Sequence, residues 1–306
     1  MLSCTNRKRA SEPIFPRLGM IAPDPVGKRA QRWAALLSGA PREYVTADLY
    51  GGEYWQVGMA LAAEVGSRLN GRVSVISAGL GLVNIRDKLP IYGATFTNGH
   101  ADSVVQGDSP AHERRQWWNA LATLDDLDFG GPRRLADVVS RNSSAGMIVC
   151  AGPDYLEAVA EDALNLAEQL MDPSRLVIFA SGKPVAGLGD HWVQVPGALR
   201  LALGGSLAST AVRTARVFVG EGPTLPLDVG NARSLVAALA AGAGELPKFD
   251  GRRQSDDAVT DWIVDHISTA PHSNKSRALR QFRESGFACE QHRFGRLFCE
   301  ARTKAT

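Results

Sequence analysis

Val73-Ser74-Val75-Ile76-Ser77-Ala78-Gly79-Leu80-Gly81 is the stretch whose reading decides the fold. Its first half is a compact apolar run of strand length, and its second half supplies small residues where backbone can approach a ligand closely. Upstream, an Ala-rich helix is expected from about Tyr54 to Leu69, closed by Asn70-Gly71. Before that helix lies a short strand around Tyr44-Val45. Strand, helix and strand in this order read as a βαβ unit with parallel pairing.

Working toward the N-terminus, Lys28 to Leu37 reads as a helix with Trp33, Leu36 and Leu37 on one side, preceded by a Pro-marked loop. Met1 to Cys4 makes a very short first strand that runs into the basic loop Arg7-Lys8-Arg9. Working toward the C-terminus, a helix is expected from Glu113 to Leu124, carrying Arg114, Arg115, Trp117 and Trp118. Paired tryptophans beside paired arginines could stack bases, although burial is the more economical use of a tryptophan.

The α/β rhythm resumes at Met147-Ile148-Val149-Cys150, a strand, and Gly152-Pro153 opens a helix with proline in its first turn. Leu176 to Phe179 and His191 to Val195 read as further strands. Gly204-Gly205-Ser206 starts a helix whose polar face carries Ser206, Ser209, Arg213 and Arg216, and whose N-terminal amides could take an anion. An Ala-rich helix follows near Ala232 to Ala241. Beyond a polar linker, three amphipathic helices are expected, with Arg277, Arg280, Arg283, Arg293 and Arg296 on the last two. They read as a small helix-turn-helix-type module or, alternatively, a helical docking appendage. The expected organisation is an α/β domain over 1–250, three-layered with a mainly parallel central sheet, and a helical, DNA-binding domain over 256–306.

With 306 residues and 44% hydrophobic content, the chain can bury a full core. No apolar run approaches the roughly 20 residues that span a bilayer, so no membrane partner and a cytoplasmic location are expected. Cys4, Cys150, Cys289 and Cys299 show no metal-site spacing, so neither a metal nor another cofactor is expected. The net charge of +2 hides an asymmetry: residues 1–42 carry +6, residues 273–306 carry +5, and the middle carries −9. Basic ends are the electrostatic footprint of a polyanion partner.

Four short motifs recur in order: Ser3-Cys4 with Lys8, Asp48-Leu49-Tyr50, Ser77-Ala78 with Gly81-Leu82, and Asp87 with Tyr92. Together they resemble a prokaryotic domain-of-unknown-function family of pattern SCxxKK, ADLY, SAxxGLV and Y. That family is distantly similar to the peroxide-stress DNA-binding family and to the uracil-DNA-glycosylase-like domain of archaeosine synthase. The resemblance covers the first third of the chain well and residues 146–219 loosely.

The resemblance implies a uracil-DNA-glycosylase-like fold and an anti-phage DNA glycosylase that excises a modified base, such as a modified cytosine, from foreign DNA. Breaking an N-glycosidic bond builds positive charge on the sugar, which a carboxylate stabilises, while donors hold the departing base. Asp48 is the first candidate for that carboxylate, Asp87 the second and Glu53 a reserve; for Asp48, a helix cap or a structural partner of Lys8 is the competing role. Ser3, Cys4, Thr5, Tyr50, Ser77, Gly79 and Tyr92 would line the base pocket, with core packing the competing role for the tyrosines. Arg7, Lys8, Arg9, Arg213, Arg277, Arg280, Arg293 and Arg296 would meet the nucleic acid. Two rival readings are a base-modifying or transglycosylating enzyme on RNA, and a DNA-binding stress protein without catalysis.

Overall fold

The computed structural model describes residues 1–9, 14–127, 129–141, 143–221, 226–246, 251–271 and 273–304. They form two compact units, Met1–Glu245 and Leu246–Thr306; the expected boundary at residue 250 lies outside the described residues.

The first unit begins with β1 (Leu2–Ser3), α1 (Val26–Ser38), β2 (Tyr44–Val45), α2 (Thr46–Leu49) and α3 (Glu53–Leu69). It continues through β3 (Ser74–Ser77), β4 (Gly81–Asn84), β5 (Lys88–Leu89), α4 (Pro110–Leu121), β6 (Met147–Cys150) and α5 (Pro153–Gln169). The last elements are β7 (Leu176–Ala180), β8 (Trp192–Gln194), α6 (Leu199–Leu203), α7 (Leu207–Glu221) and α8 (Val229–Ala241).

Six strands form one sheet in the order β4-β3-β1-β6-β7-β8, parallel except for β4. Counted in chain order, the parallel strands run 2-1-3-4-5, a doubly wound order whose switch point falls between β1 and β6. The two residues of β1 therefore occupy the middle of the sheet, with Leu2 in register with Val75 on one side and Cys150 on the other. The helices pack into two groups, α3 with α6, α7 and α8, and α1 with α4 and α5. This is a mostly parallel α/β sheet with helical cover, consistent with three layers.

Several local expectations change. Gly81 to Asn84 is an antiparallel strand: Gly81 takes a positive φ of 74° after the three-residue turn Ala78-Gly79-Leu80 and pairs back on Ser77. Tyr44-Val45 pairs with Lys88-Leu89 in a separate two-stranded ribbon instead of joining the main sheet. The helix expected to start at Glu113 starts at Pro110 and ends at Leu121. In α1, Leu36 is exposed, and Arg29 lies inside instead, donating to the carbonyls of Ser103 and Val104 at 2.8 Å each.

Trp117 and Trp118 are core residues, so they offer no faces for base stacking. Trp117 Nε1 donates to Ala78 O at 2.7 Å and Trp118 Nε1 to Asp162 at 3.0 Å, the usual satisfaction of a buried indole. Arg114 beside them is also buried, bound to Asp154 and Glu157.

The second unit holds β9 (Arg252–Arg253), α9 (Asp256–Thr269), α10 (Lys275–Glu284), β10 (Phe287–Ala288) and α11 (Gln291–Lys304). Its small core joins Val259, Ile263, Ala278, Leu279, Phe282, Phe294, Leu297 and Phe298. The side-chain oxygens of Ser255 and Asn274 cap α9 and α10. A short parallel pairing of β9 with β10, invisible to helical periodicity, adds to the three helices. No helix among the described residues of the chain is long and apolar enough to cross a membrane.

Candidate functional site

In an open α/β sheet the ends of strands flanking a switch point leave room for a site, here the carboxyl ends of β1 and β6 with β3 alongside. The chain leaving β1 runs through Thr5 and then pairs with the segment after α2. Lys8 bridges Tyr50 in antiparallel fashion, Arg9 N donates to Leu49 O at 2.9 Å, and Gly51 N donates to Arg7 O at 2.8 Å. Extended backbone alternates its side chains. Arg7 and Arg9 are exposed accordingly, with their stems flanking Gly51, and Lys8 turns inward.

Lys8 Nζ donates to Thr5 O at 2.7 Å and lies 4.7 Å from the Tyr50 ring centroid and 4.6 Å from that of Tyr92. The two phenols are joined to each other, OH to OH, at 2.7 Å, and Tyr92 OH lies 2.6 Å from Ser77 Oγ. Ser77 Oγ also accepts from Leu80 N at 3.0 Å and Gly79 N at 3.3 Å, which shapes the turn after β3. Gly79 has to be a glycine, since a Cβ there would stand 2.5 Å from two atoms of the Tyr92 ring.

On the β6 side, Cys4 Sγ lies 3.2 Å from the hydroxyl of Tyr155 in the first turn of α5. Ser3 N and Oγ both donate to Tyr54 OH at 3.1 Å, and that hydroxyl donates to Cys150 O at 2.6 Å. Thr5 Oγ1 donates to Arg7 O and Gly51 O, each at 3.0 Å. Ser3 and Thr5 were expected to face a base. Their hydroxyls instead tie β1 to α3 and the basic loop to Gly51.

The electrostatics follow from enclosure. Burial lowers the Lys8 pKa to about 8, partly opposed by Cys4 and Asp102. Burial raises Tyr50, Tyr92 and Tyr155 well above the usual phenol range, so all three are neutral and can donate. Asp102 itself is held by Arg17 Nη2 at 2.5 Å and Gly19 N at 3.2 Å.

Neither carboxylate expected to act on the bond is hydrogen-bonded or ion-paired to Lys8 among the described residues. Asp48 is exposed on α2, and its side chain takes no hydrogen bond or ion pair among the described residues. Asp87 lies in the turn after β4, where its Oδ2 accepts from Asn84 N at 2.6 Å and its carbonyl accepts from Thr46 N at 2.9 Å. Asn84 pairs with Ser74, the first residue of β3, so Asp87 sits at the opposite end of the sheet from Ser77.

Glu53 fills the place expected for an external anion. It reaches from the start of α3 to the start of α7, accepting from Ser206 N at 3.1 Å, Ser209 Oγ at 2.9 Å and Arg213 Nη2 at 2.8 Å. Arg213, the two serines and the amide hold its pKa at about 2. Arg213 is thereby engaged inside the unit.

In the second unit Arg293 and Arg296 both bind Asp256, at 2.5 and 2.9 Å, while Arg277 and Arg280 are exposed. Arg280 also lines a groove of about 910 Å³ between α10 and α11, together with Lys275, Leu279, Arg283, Phe294 and Cys299.

Tyr54, Tyr155, Asp102 and Arg17 are site residues that motif reading missed. The alternation in Arg7-Lys8-Arg9 is the one sequence signal that would have separated Lys8 from its neighbours. The chain matches no family model, no curated protein and no solved structure.

Proposed function

We propose that the α/β unit has a uracil-DNA-glycosylase-like fold and releases a modified base from DNA by hydrolysis. In this reading the helical unit is a helix-turn-helix-type DNA-binding module, and foreign DNA is the target. The observation that carries the proposal is the segment Arg7-Lys8-Arg9. Two exposed guanidinium groups flank a lysine whose ammonium rests between two neutral phenol rings at the strand ends.

Arginines at that position suit phosphates, and an enclosed set of donors suits the base. As the C1′–N bond breaks, negative charge builds on the departing base, and in this reading the neutral phenols of Tyr50 and Tyr92 would stabilise it. Reaching that bond in a duplex requires flipping the nucleotide out, which phosphate contacts by Arg7 and Arg9 would assist. Arg277 and Arg280 would add sequence-independent affinity.

The test is incubation of the purified chain with normal, hydroxymethylated and glucosylated DNA, followed by alkali. Strand breaks confined to one of the modified DNAs, with free base in solution, are expected. Intact strands on all three, with DNA binding retained, would leave a protein that holds DNA without cutting the glycosidic bond.

A further inference from the structure

We propose that Lys8 Nζ is the nucleophile of this site, displacing the base at C1′ of a deoxyribose and holding the sugar as a Schiff base. This rests on the base-release reading above and puts Lys8, in place of Asp48 or Asp87, at the sugar.

The geometry comes first. Among the described residues Nζ has one hydrogen bond, to a neutral carbonyl, and two ring faces against it. Among the described residues it makes no ion pair with a carboxylate, which would keep it protonated. The groups around it are Cys4, Tyr50, Tyr92 and Asp102, and the carboxylate of Asp102 is taken up by Arg17 and Gly19. Burial lowers its pKa to about 8, so roughly a tenth is neutral at pH 7, against about one in 2,500 for lysine in water. Desolvated lysines beside neutral donors are effective nucleophiles toward electrophilic carbon.

The step balances without an oxidant or reductant. The Nζ lone pair forms the N–C1′ bond as the C1′–base bond breaks, and that electron pair leaves with the base. The departing base takes a proton from water, and Nζ gives its extra proton to the hydroxide so formed. The C1′–O4′ bond then opens as the Nζ lone pair forms the C1′=Nζ iminium, and O4′ takes a proton from water to become the 4′-hydroxyl. Water adds to the iminium, its spare proton goes to the hydroxide left by the ring opening, and the abasic sugar leaves as the amine is restored. The sum is one water consumed, one base and one abasic site formed.

The experiment mixes the full chain with a duplex oligonucleotide carrying one abasic site and with sodium borohydride, which reduces an iminium to a stable amine. A protein–DNA cross-link is expected, and peptide mass spectrometry should place it on Lys8. Lys8→Arg and Lys8→Gln should lower its yield at least roughly a hundredfold, the scale of losing a covalent nucleophile. If either variant fails to fold, the position of the cross-link in the unaltered chain decides alone. A cross-link on any other lysine, or none, overturns the proposal.

Abasic DNA bypasses base removal, so the two readings fail separately. A Lys8 cross-link with no base released from any modified DNA overturns base release and keeps the Schiff base. Base release without a Lys8 cross-link does the reverse.

Discussion

The hydroxyl of Tyr92 lies 2.6 Å from Ser77 Oγ, inside the core at the carboxyl end of β3. That oxygen also receives Leu80 N and Gly79 N, so one serine organises the turn into β4 and orients a phenol of the site. Ser77→Ala would strand a buried amide, which costs about 1–3 kcal/mol. We expect the denaturant midpoint to fall with an unchanged slope. In a double-mutant cycle with Tyr92→Phe the two losses should not add, because the residues share one bond. Additive losses would mean that the pair acts independently.

Gly79 tests the same corner from the backbone. A methyl group there would lie 2.5 Å from two Tyr92 ring atoms and 3.2 Å from Ala94 Cβ, and the ring has no free side to retreat to. Overpacking of this kind costs about 1–3 kcal/mol. Gly66→Ala in α3, where nothing lies within 4 Å of the new Cβ, is the control. It should stabilise by roughly 0.5–1 kcal/mol from helix propensity. Equal behaviour of the two variants would remove the steric argument.

How much of this was legible follows from what each residue reports locally. The longer helices and the strands from Met147 and Leu176 announce themselves by apolar runs and by stop signals such as Asn70-Gly71. The central place of Leu2-Ser3 does not, because two residues carry no period and their position comes from Val75 and Cys150, distant in sequence. Asp48 looked catalytic beside Leu49-Tyr50, yet α2 buries Leu49 and leaves Asp48 in solvent. Asp87 and Tyr92 share a motif, but the antiparallel course of β4 carries Asp87 to the far end of the sheet. Glu53 was read as a reserve acid, and only the folded chain shows it closing the start of α7.

Glu53 makes acid stability a direct readout of that closure. Its folded pKa of about 2 is well below the unfolded value, near 4.3 in water. The stability it contributes is present above that unfolded value and is lost as pH falls toward about 2. Glu53→Gln should therefore be less stable at neutral pH and should show a flatter decline over this acid window. Urea midpoints for both proteins across the window measure it. Parallel curves would show that the carboxylate gains nothing from Ser206, Ser209 and Arg213.

The arginines of the second unit divide by their partners. Arg293 and Arg296 hold Asp256 at the start of α9, whereas Arg277 and Arg280 are exposed on α10. If this unit binds DNA, Arg277→Ala and Arg280→Ala should each weaken binding across sequences. Each should also reduce the slope of log affinity against log salt by about 1. Neither should change thermal stability. Arg293→Ala should lower stability by about 0.2–1 kcal/mol, as for an exposed ion pair. Unchanged salt slopes in the α10 variants would remove that helix from any nucleic-acid surface.

Lys8 responds to pH in the opposite sense from Glu53. With its folded pKa lowered to about 8 and an unfolded value near 10.4, the unfolded chain binds the extra proton between those limits. Stability therefore rises with pH across that window; below it the enclosed charge is a constant cost. Lys8→Met removes both the charge and its titration. The variant's advantage should be largest near neutral pH and should shrink as the wild-type lysine becomes neutral. Cys4→Ser, carried through the same series, separates the neighbouring thiol from the amine. Borohydride trapping on abasic DNA should climb as pH passes about 8, because only the neutral amine attacks. A pH-independent difference between wild type and Lys8→Met would show that the amine is not depressed, and trapping would then have to be assigned to another lysine.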